Sequence, residues 1–125
     1  MQIFISYTLT DHAFAEYLAE RLGQMGVPIQ WAHPEDEPSA WHAAFENSHI
    51  VIVVLSPQAL EDLNVMNNWR EALETRRPVL PAFIESCSPD VPVNQYADFT
   101  GDIDRGFNRL THLLFDQTAR LRNRF

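Results

Sequence analysis

The chain has 125 residues and a formal net charge of −8, with 17 Asp and Glu against 9 Lys and Arg. That length supports a single domain with its own core, and the acidic balance argues against nucleic-acid or anionic-membrane binding, because phosphate contacts need clustered Lys and Arg. Cys87 is the only cysteine, so there is no disulfide framework and a reducing, cytoplasmic compartment is expected; no leader pattern opens the chain, and its longest apolar run, Ile50–Leu55, is far too short to cross a bilayer.

Residues 2–5 form an apolar strand that runs directly into Ser6-Tyr7-Thr8-Leu9-Thr10-Asp11. A buried strand ending in small polar residues at a helix start delivers side chains and free N–H groups to the carboxyl edge of an α/β sheet. Phe14, Tyr17, Leu18, Arg21, Leu22 and Met25 then follow helix spacing, with Thr10 or Asp11 as N-cap and Gly23 and Gly26 marking the end. Residues 27–31 read as a short strand closed by Trp31. The acidic, proline-bounded stretch His33-Pro34-Glu35-Asp36-Glu37-Pro38 is a loop, and Ser39 is the expected cap of a helix with Trp41, Ala44 and Phe45 inward.

Ile50–Leu55 is a β-branched run without alternation, the pattern of a strand covered on both faces in a parallel sheet. It ends at Ser56-Pro57, a second strand finishing in a polar turn. Val65, Met66, Trp69, Ala72 and Leu73 take core spacing in the helical region that follows, which Arg76-Arg77-Pro78 closes. Residues 79–84 give a fourth strand and 85–95, with Pro89 and Pro92, a surface loop. Residues 96–100 form a weak edge strand. A last helix starts at Gly101-Asp102, with Ile103, Phe107, Leu110 and Leu114 on one stripe. Five strands alternating with about five helices predict a flavodoxin-like α/β fold: a parallel sheet of order 2-1-3-4-5, helices on both faces, and a switch point between strands one and three. The domain is placed at residues 1–115. Residues 116–125, which carry Arg120, Arg122 and Arg124 and end at Phe125, read as a tail or the start of a linker.

Elimination narrows the chemistry. The turn after strand one contains no glycine, so neither a Walker loop nor a dinucleotide fingerprint is present. A phosphate receiver would need paired acids after strand one and an Asp ending strand three, where Ser6-Tyr7 and Ser56 stand. The five histidines are scattered, and His33 beside Glu35, Asp36 and Glu37 reads as a flexible acidic loop, so no metal site is expected. Cys87 reads as an inert thiol, and Ser56 lacks the elbow glycines of a hydrolase nucleophile.

The order of motifs resembles a TIR (Toll/interleukin-1 receptor homology) domain of bacterial type over essentially the whole chain. Phe4-Ile5-Ser6-Tyr7 followed by Asp11 looks like the first box of that family. Trp31, Trp41 and the run from Ile50 to Pro57 resemble its central segments. Residues 65–73 with Pro78-Val79-Leu80-Pro81 are similar to its third helix and fourth strand, and residues 96–101 with Phe107 and Leu110 to its C-terminal segment.

The resemblance implies two roles. Many such domains signal by assembling with other TIR domains, and others cleave the nicotinamide–ribose bond of NAD, frequently in antiviral defence. In the enzymatic members one glutamate of the third helix engages the ribose. Anchoring on Ala72 and Pro78 puts Asn68 at that position, an amide without negative charge, while Glu71 lies one turn along as a substitute acid. Ser6, Tyr7, Trp31 and Trp41 are the other residues assigned to the nucleotide cleft. The expected function is a signalling or defence module with an NAD-type cleft whose catalysis is in doubt at Asn68. The alternatives are an active NAD glycohydrolase, a pure TIR–TIR adaptor, and recognition of a nucleotide without turnover. NAD enters as substrate or ligand, with no resident cofactor and no metal. Self-assembly is expected.

Overall fold

The sheet grows outward from two strands that are buried at every position, β1 (Ile3–Ser6) and β3 (Ile50–Leu55). They pair in parallel, with Ile3 opposite Ile50 and Ser6 opposite Val53. The computed structural model describes residues 1–91 and 93–123; Pro92 of the expected surface loop, and Arg124 and Phe125 of the expected tail, lie outside the described residues. β2 (Ile29–Gln30) flanks β1, β4 (Val79–Phe83) flanks β3, and β5 (Ala97–Asp98) closes the far edge. The order is β2-β1-β3-β4-β5, parallel throughout, which is the flavodoxin-like arrangement expected from the sequence.

A single 3-10 turn (Leu9–Asp11) leads into α1 (His12–Gln24), and α2 (Pro38–Glu46) precedes β3. α3 (Pro57–Glu61) and α4 (Leu63–Glu74) connect β3 to β4, and α5 (Ile103–Arg122) ends the fold. Right-handed crossovers put α1 and α5 on one face of this sheet and α2, α3 and α4 on the other. Side-chain contacts agree with that layering. The Arg21 guanidinium of α1 lies 3.8 Å over the Phe107 ring of α5, while Trp41 of α2 hydrogen-bonds to Asn68 of α4.

Several elements differ from expectation for local reasons. β2 shrinks from residues 27–31 because the Val27 N–H is spent on Leu22 O at the end of α1 and Pro28 has no N–H to give. That accounts for its late start; at its other end β2 stops at Gln30, so Trp31 does not close the strand. The helical region after β3 is broken at Asp62, whose carboxylate caps α4 by accepting from Asn64 N and Val65 N. α2 starts at Pro38 after Glu37, not at a Ser39 cap. β5 is cut short by Asp98, which accepts from both the N–H and the hydroxyl of Thr100. Met25, Leu73 and Ile103 lie at the surface rather than in the core, each about half exposed (47%, 47% and 49%). α5 continues past residue 115 to Arg122, with Leu121 packed against the core. Among the described residues no helix is long and apolar enough to cross a membrane.

One glycine is fixed by contact. A Cβ on Gly106 would meet Asp98 O at 2.6 Å and the Phe99 ring at 2.7 Å, so α5 lies against β5 at a distance only glycine permits.

Candidate functional site

At the carboxyl end of β1 three side chains from three elements meet. Ser6 Oγ donates to Asn68 Oδ1 at 2.9 Å, and Trp41 Nε1 donates to the same oxygen at 2.9 Å. Indole N–H is a donor only, which fixes the orientation of the amide: its oxygen faces inward. Asn68 is 6% exposed, and its Nδ2 makes no hydrogen bond to the described residues. No fully buried polar side-chain atom among them lacks a partner, so solvent reaches that nitrogen. Asn68 lines a cleft of about 390 Å³ between α2 and α4, together with Pro34, Asp36, Trp41, His42 and Glu71. The cleft thus presents amide N–H donors and an indole edge at its base, with carboxylates at its rim. Its described lining contains no Lys or Arg.

The predicted site residues divide into two groups. Trp41, Asn68 and Glu71 line this cleft, and Ser6, with no exposed surface, acts on it through Asn68. Tyr7 and Trp31 form an aromatic wall beside it instead. Their rings stack at 5.2 Å and 19°, and Tyr7 lies 5.7 Å from Trp41. The buried Tyr7 hydroxyl donates to Ala32 O at 2.9 Å, tying the loop after β2 to β1. Burial, reinforced by the charges of Glu16 and Asp36, pushes the Tyr7 phenol well above its ordinary range and keeps it a proton donor. Trp31 remains 39% exposed.

The end of β3 is organised differently. Ser56 Oγ accepts from Ala59 N at 3.1 Å, capping α3, and donates to Asp11 Oδ2 at 2.5 Å. Asp11 is therefore buried in the joint between β3 and α1, and its side chain does not cap α1 as the sequence suggested. Burial raises its carboxyl above the usual range; the Ser56 hydrogen bond opposes this and the Glu85 charge adds to it. Burial, together with Glu85 and Asp11, also pushes the Cys87 thiol up, which disfavours the nucleophilic thiolate. Cys87 lines a larger cavity, about 570 Å³, at the β4–β5 edge with Asp90, Tyr96 and Asp98. That cavity has no buried polar side chain aimed into it, which sets it apart from the cleft at Asn68.

Sequence reasoning missed two residues at or beside the cleft, His42 in its lining and Glu46 next to it. His42 and Glu46, one turn apart on α2, stand beside Glu71 of α4, with one potential ligand atom from each within 4.8 Å of the others. The i,i+4 spacing was visible in the sequence; the approach of Glu71 from another helix was not. His33, by contrast, is engaged in its own loop, its N–H donating to Asp36 Oδ2 and its Nδ1 accepting from Glu35 N.

A parallel sheet of this order, with a polar cleft on Asn68 beside the end of β1, defines the class: a flavodoxin-like α/β domain. The family follows from comparison. A family model described as TIR domain matches residues 3–113, and the chain belongs to that family. The fold is similar to the crystal structure of the TIR domain of the Toll-related receptor TRR-2 from the lower metazoan Hydra magnipapillata. That match has a TM-score of 0.74 and 23% identity, and covers 93% of this chain and 97% of that one. No curated protein matches the chain.

Proposed function

We propose that this TIR domain is a signalling module whose cleft between α2 and α4 takes an NAD-type nucleotide and holds it without cleaving it. One observation carries the reading. At the position where the enzymatic relatives named by the sequence resemblance use a glutamate, Asn68 turns its oxygen inward to Ser6 and Trp41 and offers only N–H donors to the cleft. Cleavage of a nicotinamide–ribose bond builds positive charge on the sugar carbon, which a nearby carboxylate stabilises. An amide N–H hydrogen-bonds a ribose oxygen but does nothing for that charge. Losing one well-placed electrostatic partner typically costs ~2.7–4 kcal/mol, or about 10²–10³ in rate. Trp41 supplies an apolar indole edge beside the amide, against which a sugar or a nicotinamide ring would rest. On this reading the domain works in cytoplasmic signalling or antiviral defence by assembling with other TIR domains, and the nucleotide biases assembly instead of being consumed.

A second reading rests on Glu71, which lines the same cleft one turn beyond Asn68 and is half-buried. There the domain is an active NAD glycohydrolase with Glu71 in place of the missing acid. Incubating concentrated protein with NAD and measuring released nicotinamide separates the two. The proposal expects NAD binding by calorimetry, no release by the natural chain, and release by Asn68→Glu. Release by the natural chain that Glu71→Ala abolishes overturns it in favour of the enzyme. Absence of NAD binding in both the natural chain and Asn68→Glu overturns it in favour of a pure adaptor.

A further inference from the structure

We infer that the rim of the cleft is a binding site for a divalent transition-metal ion, held by His42 and Glu46 of α2 and Glu71 of α4. The three side chains offer one nitrogen and two carboxylate oxygens, a donor set suited to Zn²⁺ or Co²⁺. Three protein ligands around a tetrahedral ion leave a fourth position for water or an exogenous ligand.

The geometry is near what such an ion requires. His42 Nε2 and Glu46 Oε1 are 3.6 Å apart. That is long for a direct hydrogen bond, yet close to the ~3.4 Å that separates two ligands bound tetrahedrally at about 2.1 Å. Glu71 closes the triangle within 4.8 Å, and a small inward shift would complete the ligand set. Its half-buried side chain at the cleft edge has room for that shift.

Two features outside the triad support an ion here. The first concerns Glu46, whose two oxygens are already divided: Oε1 faces His42, while Oε2 lies 3.6 Å from Arg77 Nη2. Arg77 is itself held, donating through Nη1 to Phe45 O at 2.7 Å and lying 4.6 Å over the Phe45 ring. A ligating carboxylate oriented through its second oxygen is the outer-shell arrangement of protein metal sites. The second is the Asn68 amide nitrogen. It belongs to a side chain more than nine-tenths buried, has no hydrogen bond to the described residues, and borders the same cleft as His42 and Glu71. Solvent serves that donor in the free protein, and an oxygen on the ion's open position would be an acceptor facing it across the same cleft.

The inference is independent of the nucleotide reading, because its test contains no nucleotide. Metal-stripped full chain is titrated calorimetrically with ZnCl₂, and separately with CoCl₂ while visible absorption is recorded. The expected result is saturable binding of one ion per chain and Co²⁺ d–d bands of tetrahedral intensity. His42→Ala and Glu71→Gln should each weaken binding by more than the roughly 10–100-fold typical of an outer-shell change, and His42→Ala should lose the bands. Zn²⁺ should raise the thermal unfolding midpoint of the natural chain but of neither variant. No saturable heat with the natural chain, or equal affinity in the natural chain and both variants, overturns the site. His42 is exposed and Glu71 only half-buried, so both variants should keep the metal-free unfolding midpoint, and any loss of binding then reports on the ligands themselves.

Discussion

The two central strands each deliver a buried serine at their carboxyl ends and use it differently. Ser6, the last residue of β1, and Ser56, the first residue after β3, are both without exposed surface, and each hydroxyl donates to a side chain on a neighbouring element. Ser6 reaches a neutral amide, Asn68; Ser56 reaches a carboxylate, Asp11. The amide shares its oxygen with the Trp41 indole and leaves its nitrogen to the cleft, whereas the carboxylate is enclosed in the joint between β3 and α1. The carboxylate beside the end of β3 is thus part of the framework, whereas the side chain that Ser6 presents to the cleft is a neutral amide, with the carboxylates of Asp36 and Glu71 elsewhere in the lining. Two serines that look alike in sequence thus separate an enclosed joint from the side of an open cleft.

The sharpest way to break that contrast is to remove each hydroxyl in turn. Ser56→Ala leaves a buried carboxyl without its donor and strips α3 of its cap. These are penalties of about 1–3 and about 1 kcal/mol, so a loss of roughly 3 kcal/mol is expected in urea unfolding. Ser6→Ala leaves Asn68 Oδ1 still bonded to Trp41 and should cost only about 1 kcal/mol. Equal losses would mean that the two ends are structurally equivalent and the contrast empty.

Acid titration sharpens the same contrast with a smaller effect. Burial holds the folded Asp11 carboxyl above its ordinary 3.8, so the folded chain keeps this proton at pH values where the unfolded chain has lost it. The resulting stabilisation is fully present below the unfolded value and is lost as pH rises through the folded one. The stability of the natural chain minus that of Asp11→Asn should therefore fall as pH is raised from below 3.8 into the weakly acidic range, then level off. The corresponding difference for Asn68→Ala should stay flat across the same window, because an amide does not titrate. Urea midpoints measured through that range check both.

Most of the framework was legible because it rests on patterns that local physics enforces. The unalternating Ile50–Leu55 run could only be a doubly covered strand, and its serine terminus announced the switch point. The cleft residues Asn68 and Trp41 were found through motif order, but the reason they matter was not in the sequence: a hydrogen bond spanning 27 positions fixes which end of the amide faces out. Asp11 misled for a related reason. A carboxylate before a helix reads as a cap, and only the approach of Ser56 from 45 residues away diverts it. Trp31 was assigned to a strand that ends one residue earlier, at Gln30, and its ring stacks on Tyr7 instead. Gly106 gave no signal at all, since its constraint is the backbone of another element.

The smallest effect concerns how the two helices carrying these regions end. α1 follows Asp11 and α4 bears Asn68, and both close with the same turn. Val27 N donates to Leu22 O at 3.1 Å after α1, and Arg77 N donates to Ala72 O at 2.8 Å after α4. The left-handed position of that turn is Gly26 in the first (φ 80°) and Arg76 in the second (φ 59°). A residue with a Cβ is strained there by roughly 1–2 kcal/mol, and glycine returns part of that gain as unfolded-state freedom of about 0.5–1 kcal/mol. Arg76→Gly should therefore stabilise the chain by about 0.5–1 kcal/mol in urea unfolding, and Gly26→Ala should destabilise it by a similar amount. Arg76 makes no ion pair among the described residues, so little is lost with its side chain. If Arg76→Gly instead leaves stability unchanged while altering nucleotide or metal binding, the strain at the end of α4 belongs to the cleft and not to the framework, and the division drawn at the two serines extends along the whole helix.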